Sequence, residues 1–300
     1  MRVFVTGATG FIGSAVVPEL MAAGHEVTGL ARSDASAAAL AAAGAQVHRG
    51  SLDDLDSLRA AAAASEGVIH LAFGRFADGP AAGQADLRAI EAMGDALEGS
   101  GRPLVIASGL LGLAAGWSAT EQDTPDPASL VAAGRPGALA VPSLAARGVR
   151  SSVVRLAPSV HGEGDHAFIP QLIGIARDKG VSGYIGGGSS RWPAVHVIDA
   201  ACLFRLALEQ APAGSALHAV AEEGVPTRDI AEAIGRHLNL PGVSIPPEQT
   251  AEHFSWLGIV FAADIPATST LTRQLVGWQA VHPGLIDDLD KGHYFDTPTA

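Results

Sequence analysis

The chain has 300 residues, of which 48% are hydrophobic and 17% are charged, and this balance excludes an intrinsically disordered protein. Its net charge of −12 argues against partners such as nucleic acid or an anionic membrane surface. The single cysteine, Cys202, excludes an intramolecular disulfide and a cysteine-based zinc site, and no apolar run reaches the ~18 residues of a membrane span.

The chain opens directly on a strand pattern, without the pattern of a signal peptide, so we expect a cytoplasmic protein. Short β-branched or aliphatic runs predict strands at 2–5, 26–30, 45–48, 67–71, 103–107 and 150–156. Alanine- and leucine-rich stretches between them predict helices at 14–23, 35–43, 55–64, 84–98 and 139–146. Pro18 and Pro142 should kink or shorten two of these helices. This alternation predicts an α/β fold, a Rossmann-type doubly wound parallel sheet.

Beyond Pro158 the glycine and proline content rises, and the regular alternation ends. Three further helices are predicted at 169–178, 198–209 and 227–238. We therefore predict a dinucleotide-binding domain over residues 1–156 and a smaller mixed α/β lobe for substrate over residues 157–300. The helix at 198–209 is expected to pack back on the first domain.

A glycine-rich turn, Thr6-Gly7-Ala8-Thr9-Gly10-Phe11-Ile12-Gly13, follows the first predicted strand and opens the first predicted helix. Glycines here permit a tight turn, close approach of the backbone to a pyrophosphate and packing of helix on strand. The helix start then offers unpaired N–H groups and a positive dipole to the phosphates. The pattern predicts a dinucleotide cofactor, with contacts from Thr6, Gly7, Thr9, Gly10, Phe11, Ile12 and Gly13.

The spacing Gly-x-x-Gly-x-x-Gly resembles that of the extended short-chain dehydrogenase/reductase superfamily, which includes nucleotide-sugar epimerases and dehydratases. Segments 50–54, 68–72, 155–162 and 192–201 are also similar to segments of that superfamily. The resemblance implies that the first of these meets the adenine, the second backs the cofactor, and the third holds the nicotinamide. The cofactor contacts so implied are Ser51, Leu52, Asp53, Leu71, Ala72, Pro158, Ser159 and Val160.

The choice between NAD and NADP depends on the end of the second strand, Leu30-Ala31-Arg32-Ser33-Asp34. No carboxylate stands at the strand tip itself. Arg32 can pair with a 2′-phosphate and Ser33 can donate a hydrogen bond to it, so we predict NADP. The alternative is that Asp34 reaches the ribose, which would favour NAD.

Members of the superfamily usually carry a Tyr-x-x-x-Lys pair and a serine. Neither Tyr184 nor Tyr294 is followed by lysine four positions later, so this pair is absent from the sequence. The equivalent segment, 131–135, looks like that of an atypical subgroup with His-x-x-x-Arg. Arg135 then takes the position of the lysine, toward ribose or phosphate, while Val131 cannot donate a proton.

Ser108, at the end of the fifth predicted strand, matches the family's serine and is expected to hydrogen-bond a substrate carbonyl and to lie beside the cofactor. A histidine suits the missing proton donor because it exchanges protons near neutral pH. We predict His161 for this role, and the alternatives are Ser159, His166, Tyr184 and His196. The polar segment 161–166 lacks the ligand spacing of a zinc helix, so we predict no metal site.

These features predict an NADP-dependent oxidoreductase acting on a small-molecule carbonyl or imine with a non-standard proton donor. The aromatic residues Phe254, Trp256, Phe261 and Trp278 suggest an apolar pocket for that substrate. The alternatives are a non-catalytic regulator that senses NADP, and a lyase or epimerase that uses the cofactor transiently. The helices at 84–98 and 139–146 pair into dimers in many relatives of the superfamily, which leaves a homodimer open.

Overall fold

The computed structural model describes residues 1–74, 79–113, 117–125 and 136–296. The strands in these residues are β1 (Arg2–Thr6), β2 (Glu26–Ala31), β3 (Gln46–Arg49), β4 (Gly67–His70), β5 (Pro103–Gly109), β6 (Arg150–Leu156), β7 (Ser159–His161), β8 (Ser182–Ile185), β9 (Arg191–His196), β10 (Ser215–Ala219), β11 (Glu222–Pro226) and β12 (Gly242–Ile245). The α-helices are α1 (Phe11–Ala22), α2 (Asp34–Ala42), α3 (Leu55–Ala64), α4 (Gly79–Leu97), α5 (Val141–Ala146), α6 (Phe168–Lys179), α7 (Val197–Gln210), α8 (Thr227–Leu238), α9 (Thr250–Phe254), α10 (Leu257–Phe261), α11 (Thr270–Val276) and α12 (Leu285–Asp290). Short 3-10 helices lie at Pro136–Ala140 and Pro247–Gln249.

Seven strands form one parallel sheet in the order β10-β6-β5-β4-β1-β2-β3. Its central strands β1, β4, β5 and β6 are almost entirely buried, as a parallel sheet flanked by crossover helices requires, whereas the edge strand β3 is mostly exposed. Apolar residues of α1 and α7 cover one face, including Val16, Leu20 and Phe204. The helices α3, α4 and α5 cover the other face, with residues such as Leu58 and Met93. The predicted α/β, Rossmann-type doubly wound fold is therefore confirmed.

The two prolines act differently on their helices. Pro18 lies inside α1, which continues unbroken through it to Ala22. The other helix is shortened as predicted, because α5 begins only at Val141 and places Pro142 in its first turn. Proline is tolerated there because the N–H groups of a first turn have no intrahelical partner.

Two smaller sheets lie outside the seven-stranded sheet, one in the order β11-β9-β7 and the other pairing β12 with β8. They pack with α6, α8, α9 and α10 around a buried aromatic core that contains Trp192, Phe254 and Phe261. The second half of the chain also supplies β10 to the large sheet and α7 to its helical cover. The second half of the chain therefore contributes to both cores. The domain boundary at residue 156 remains a prediction.

Candidate functional site

The glycine-rich turn between β1 and α1 has no room for side chains at two positions. Gly7 has φ +68°, and a Cβ there would lie 2.6 Å from the backbone nitrogen of Ala72. A Cβ on Gly13 would lie 2.1 Å from the carbonyl oxygen of Gly7. Both contacts are with backbone, which cannot swing aside, so glycine is required at each position.

Open space lies next to this turn at the start of α1. Gly10 is exposed, and a Cβ there would approach only the Gly7 carbonyl, at 3.3 Å. The N–H groups of Phe11, Ile12 and Gly13 lie in the first turn of the helix and have no intrahelical acceptor. No side chain caps this helix end, and its first turn contains no acidic residue. The cradle therefore fits the pyrophosphate of a dinucleotide, whose oxygens would accept from these donors.

A hydrogen-bonded network of buried side chains lies next to the turn, and it was not predicted from the sequence. The Oγ1 of Thr6 lies 2.8 Å from Nδ1 of His70, and Nε2 of His70 lies 3.0 Å from Oδ1 of Asp86. The backbone N–H of Ala72 donates to Thr6 Oγ1 at 3.2 Å. One arrangement of protons satisfies all three contacts: Thr6 donates to His70, and His70 donates to Asp86. The network ties the ends of β1 and β4 to α4.

Opposite charges meet at the end of β2, where the ribose 2′-position of a dinucleotide is read. Arg32 is exposed and has no ion-pair partner among the described residues. Ser33 caps α2 by accepting a hydrogen bond from the N–H of Ser36 at 3.1 Å. The carboxylate of Asp34 accepts from Arg49, the last residue of β3, with 2.5 Å between Nη2 and Oδ1. The alternative interpretation of Asp34 as a ribose ligand thus competes with an existing ion pair.

The other cofactor contacts implied by resemblance lie at the carboxyl end of the sheet. Ser51 and Leu52 are half-buried after β3, whereas Asp53 is exposed. Leu71 and Ala72 follow β4 directly and lie against the glycine-rich turn. Beyond β6, Pro158 is half-buried, and Ser159 and Val160 are buried in β7.

Ser108 lies near the end of β5, opposite Arg155 of β6, which pairs in turn with His218 of β10. Ser108 is 8% exposed and makes no hydrogen bond with any described residue, so its hydroxyl is available to a ligand. Arg155 donates from Nη1 to Nε2 of His218 at 3.3 Å, and burial lowers the pKa of its guanidinium. The predicted partners Val131 and Arg135 lie outside the described residues.

The structure places His161 away from solvent. Its side chain is fully buried in β7, and its Nδ1 lies 3.0 Å from Oδ2 of Asp288. Burial raises the pKa of Asp288, but hydrogen bonds from His161 and Lys291 outweigh it and bring that pKa down to about 2. Nε2 of His161 is buried without a partner among the described residues. This burial disagrees with the prediction that His161 exchanges a proton with a substrate.

Three of the four alternative proton donors lie in different surroundings. Ser159 is buried, and its Oγ lacks a partner among the described residues. Tyr184 lies on β8, outside the large sheet, under the guanidinium of Arg228. His196 stacks on His282, and burial together with the nearby His161 lowers the pKa of His196 to about 4.

His166 is the alternative that reaches the glycine-rich turn. Its ring packs edge-on against Phe11, with 6.0 Å between ring centroids, and it is exposed. It belongs to the loop 162–167 between β7 and α6, which therefore touches the first residue of α1. No group of three or more potential metal-ligating side chains is present in the part of the chain that the structure describes.

The aromatic residues predicted to line a pocket divide into two kinds. Phe254, Phe261 and Trp278 are at most 2% exposed and belong to the cores, so for these three residues the pocket prediction is wrong. Trp256 is 45% exposed, and its ring lies 6.1 Å from that of Phe168 at the start of α6.

No helix in the described residues is long and apolar enough to cross a bilayer.

Known proteins resemble the chain in sequence and in fold. A model of the NAD dependent epimerase/dehydratase family matches residues 3–92, which contain the glycine-rich turn. An uncharacterized protein of Schizosaccharomyces pombe is 48% identical over 298 residues, covering 98% of this chain and 100% of that protein. An uncharacterized protein of Saccharomyces cerevisiae is 44% identical over 292 residues, covering 96% and 98%.

Solved structures of low sequence identity share the fold. DesIV, a dTDP-glucose 4,6-dehydratase from Streptomyces venezuelae with NAD bound, has a TM-score of 0.78 at 20% identity, covering 98% of this chain and 96% of that one. The UDP-glucose 4-epimerase of Thermotoga maritima has a TM-score of 0.77 at 19% identity, covering 98% of each chain. With the turn geometry and the family match, the chain belongs to the NAD dependent epimerase/dehydratase family of extended short-chain dehydrogenases/reductases.

Proposed function

We propose that this protein is an NADP(H)-dependent oxidoreductase that acts on a small, apolar carbonyl or imine compound. It belongs to a family of enzymes that bind NAD(P). The observation that carries the proposal is the glycine-rich turn, where Gly7 and Gly13 leave no room for a Cβ and the first N–H groups of α1 lack acceptors. A turn that served only to connect β1 to α1 would not need both the missing side chains and the uncapped helix end.

The preference for NADP is supported by charge at the end of β2. Arg32 is exposed without an ion-pair partner in the described residues, and Arg49 stands beside it at the end of the neighbouring strand. Oδ1 of Asp34 already accepts from Arg49, so a ribose hydroxyl would compete with this ion pair for the carboxylate. Two guanidinium groups and one engaged carboxylate favour a phosphate over a hydroxyl at this corner.

The bound nicotinamide would supply or accept the hydride. Ser108 donates its unengaged hydroxyl to the substrate oxygen or nitrogen and orients it. Arg135, predicted in the place of the family's lysine, holds the ribose or a phosphate. Because His161 is buried on Asp288 and Tyr184 lies on a separate sheet, water in the cleft is the proton source that agrees with the described side chains.

An apolar substrate is supported by aromatic surface in the second lobe. Phe168 begins α6 and lies against Trp256, which is partly exposed. Leu111, three residues beyond Ser108, packs on the same core. This aromatic surface, together with Leu111 on the same core, favours a substrate without a large polar group.

Turnover with the reduced cofactor tests this function. Purified protein is mixed with NADPH and a panel of small aldehydes, ketones and imines, and the loss of absorbance of the reduced cofactor is followed. The proposal predicts loss that depends on the substrate and is strongly reduced in Ser108→Ala. Ser100→Ala is the control, because within the described residues the Ser100 hydroxyl bonds only to the backbone of Leu97 and Arg102, before β5 begins.

A non-catalytic, NADP-sensing regulator is a second candidate, favoured by one specific observation. Neither Tyr184 nor Tyr294 has a lysine four positions later, so the usual proton-transfer pair is absent from the sequence. Tight NADPH binding without turnover of any panel substrate would favour this second function.

A further inference from the structure

We propose that His166 is a cofactor-contact residue that closes the loop 162–167 over the pyrophosphate, with Tyr294 and Asp165 as positioning residues. The proposal rests on the cofactor binding in the proposed function, and it adds a contact from the second half of the chain. The finding behind it is that the His166 ring lies edge-on against Phe11, at 6.0 Å between centroids.

Phe11 lies at the end of α1 where the pyrophosphate is expected to bind. Phe11 is the first residue of α1, immediately after Gly10, and its N–H is one of the donors without an intrahelical acceptor. The His166 ring therefore contacts the side chain of a residue whose N–H is expected to meet the pyrophosphate oxygens. No acidic residue in the first turn of α1 competes for a donor there.

The imidazole of His166 has a nitrogen available for an anion. Its Nδ1 lies 3.3 Å from the carbonyl oxygen of Gly164, to which only a protonated Nδ1 can donate. Nε2 has no hydrogen-bond partner among the described residues, and the residue is exposed. As an imidazolium, His166 would donate from Nε2 to a phosphate oxygen and offset part of its charge.

A hydroxyl from the end of the chain holds the loop in place. The N–H of Gly162 donates to the Tyr294 hydroxyl at 3.0 Å, and that hydroxyl donates to Oδ2 of Asp165 at 3.1 Å. The other carboxylate oxygen, Oδ1, accepts from the N–H of Ala167 at 2.7 Å. Burial raises the pKa of Tyr294, which keeps the hydroxyl protonated as the donor in this arrangement. His166 is thus flanked on both sides by residues that the Tyr294–Asp165 pair fixes.

Dissociation constants of two histidine variants test the contact. His166→Ala removes the ring, whereas His166→Phe keeps a ring against Phe11 and removes the donor. We expect both variants to bind NADPH and ADP-ribose about tenfold more weakly than the wild type, the size of one hydrogen bond to a charged group. Displacement of NADPH by 2′-AMP, which lacks the pyrophosphate, should give an unchanged 2′-AMP constant in both variants.

The positioning role of Tyr294 is tested by combining variants. Tyr294→Phe should weaken NADPH and ADP-ribose binding in the wild-type background and add nothing further in the His166→Phe background. A purely structural effect of the hydroxyl would add equally in both. Thermal unfolding of each variant confirms that the folded protein is compared.

The outcomes separate this proposal from the proposed function. Wild-type NADPH binding with an unchanged His166→Phe variant would overturn the contact and leave the proposed function standing. Wild-type protein that binds neither NADPH nor NADH would overturn both. Equal losses for NADPH, ADP-ribose and 2′-AMP would also contradict the proposal, because the effect would then not depend on the pyrophosphate.

Discussion

Arg49 at the end of β3 donates a hydrogen bond to Asp34 at the start of α2, with 2.5 Å between Nη2 and Oδ1. Both side chains are exposed, at 53% and 99%, so solvent screens the pair and it contributes at most about 1 kcal/mol. A phosphate at the end of β2 could therefore displace Asp34 from Arg49. The ion pair occupies the one carboxylate that would otherwise favour NAD at this corner.

Arg32→Gln should weaken NADPH binding about tenfold or more while leaving NADH binding nearly unchanged, because a charged hydrogen bond to the 2′-phosphate is lost. Fluorescence titration with each nucleotide measures the change. Arg59→Gln is the matched control, since Asp56 on α3 is the only ion-pair partner of Arg59 in the part of the chain that the structure describes. Equal losses for NADPH and NADH would remove Arg32 from the recognition of the 2′-position.

Gly13→Ala should abolish cofactor binding and lower the stability of the fold, because its Cβ would lie 2.1 Å from the Gly7 carbonyl oxygen. Gly174→Ala is the control: Gly174 lies within α6, and a Cβ there meets nothing within 4 Å. Alanine in that helix should be neutral or stabilising by up to about 1 kcal/mol. Chemical denaturation and NADPH titration measure both effects, and wild-type behaviour of Gly13→Ala would contradict the geometry of the turn.

Ser108→Ala should lower kcat by about 10²-fold, the typical cost of removing one donor to a developing oxyanion. The dissociation constant for NADPH should change little, because the serine is expected to act on the substrate. Steady-state kinetics with any substrate found by screening provide the measurement. A variant with wild-type kcat would show that Ser108 does not contact the reacting group.

Thr6→Val should destabilise the protein by about 1–3 kcal/mol, since it leaves the buried Nδ1 of His70 and the half-buried N–H of Ala72 without their partner. Thr28→Val on β2 is the control, because valine suits a strand and Thr28 makes no hydrogen bond through its side chain in the described residues. Urea denaturation compares the two variants. Equal stabilities would contradict the proposed role of the buried network.

Stability should fall as the pH is lowered from about 6.5 to about 4. Burial, with the nearby His161, lowers the pKa of His196 to about 4, and burial, with the nearby Arg155, lowers that of His218 to about 4. The unfolded chain takes up these protons at higher pH than the folded protein, so acid favours unfolding across that window. Denaturation at a series of pH values should show a shallower decline in His196→Gln.

The local features could be predicted from sequence because each is encoded by neighbours in the chain. Neighbouring residues show the periodicity and spacing of the strand, turn and helix start at 2–13. They also show the alternation of strands and helices in the first half of the chain. His161 could not be placed in this way, since its partner Asp288 lies 127 positions away. The Thr6–His70–Asp86 network was missed for the same reason: three ordinary residues from β1, β4 and α4 meet only once the sheet forms.

Fluorescence titration of the wild-type protein with NADPH and, separately, with NADH measures directly whether the turn holds a dinucleotide and which one it prefers. We expect saturable binding of both nucleotides to the turn at 6–13, with NADPH bound about tenfold or more tightly through Arg32. Tighter binding of NADH would contradict the assignment of Arg32 and Arg49 to a 2′-phosphate. If neither nucleotide binds, the turn at 6–13 does not hold a dinucleotide.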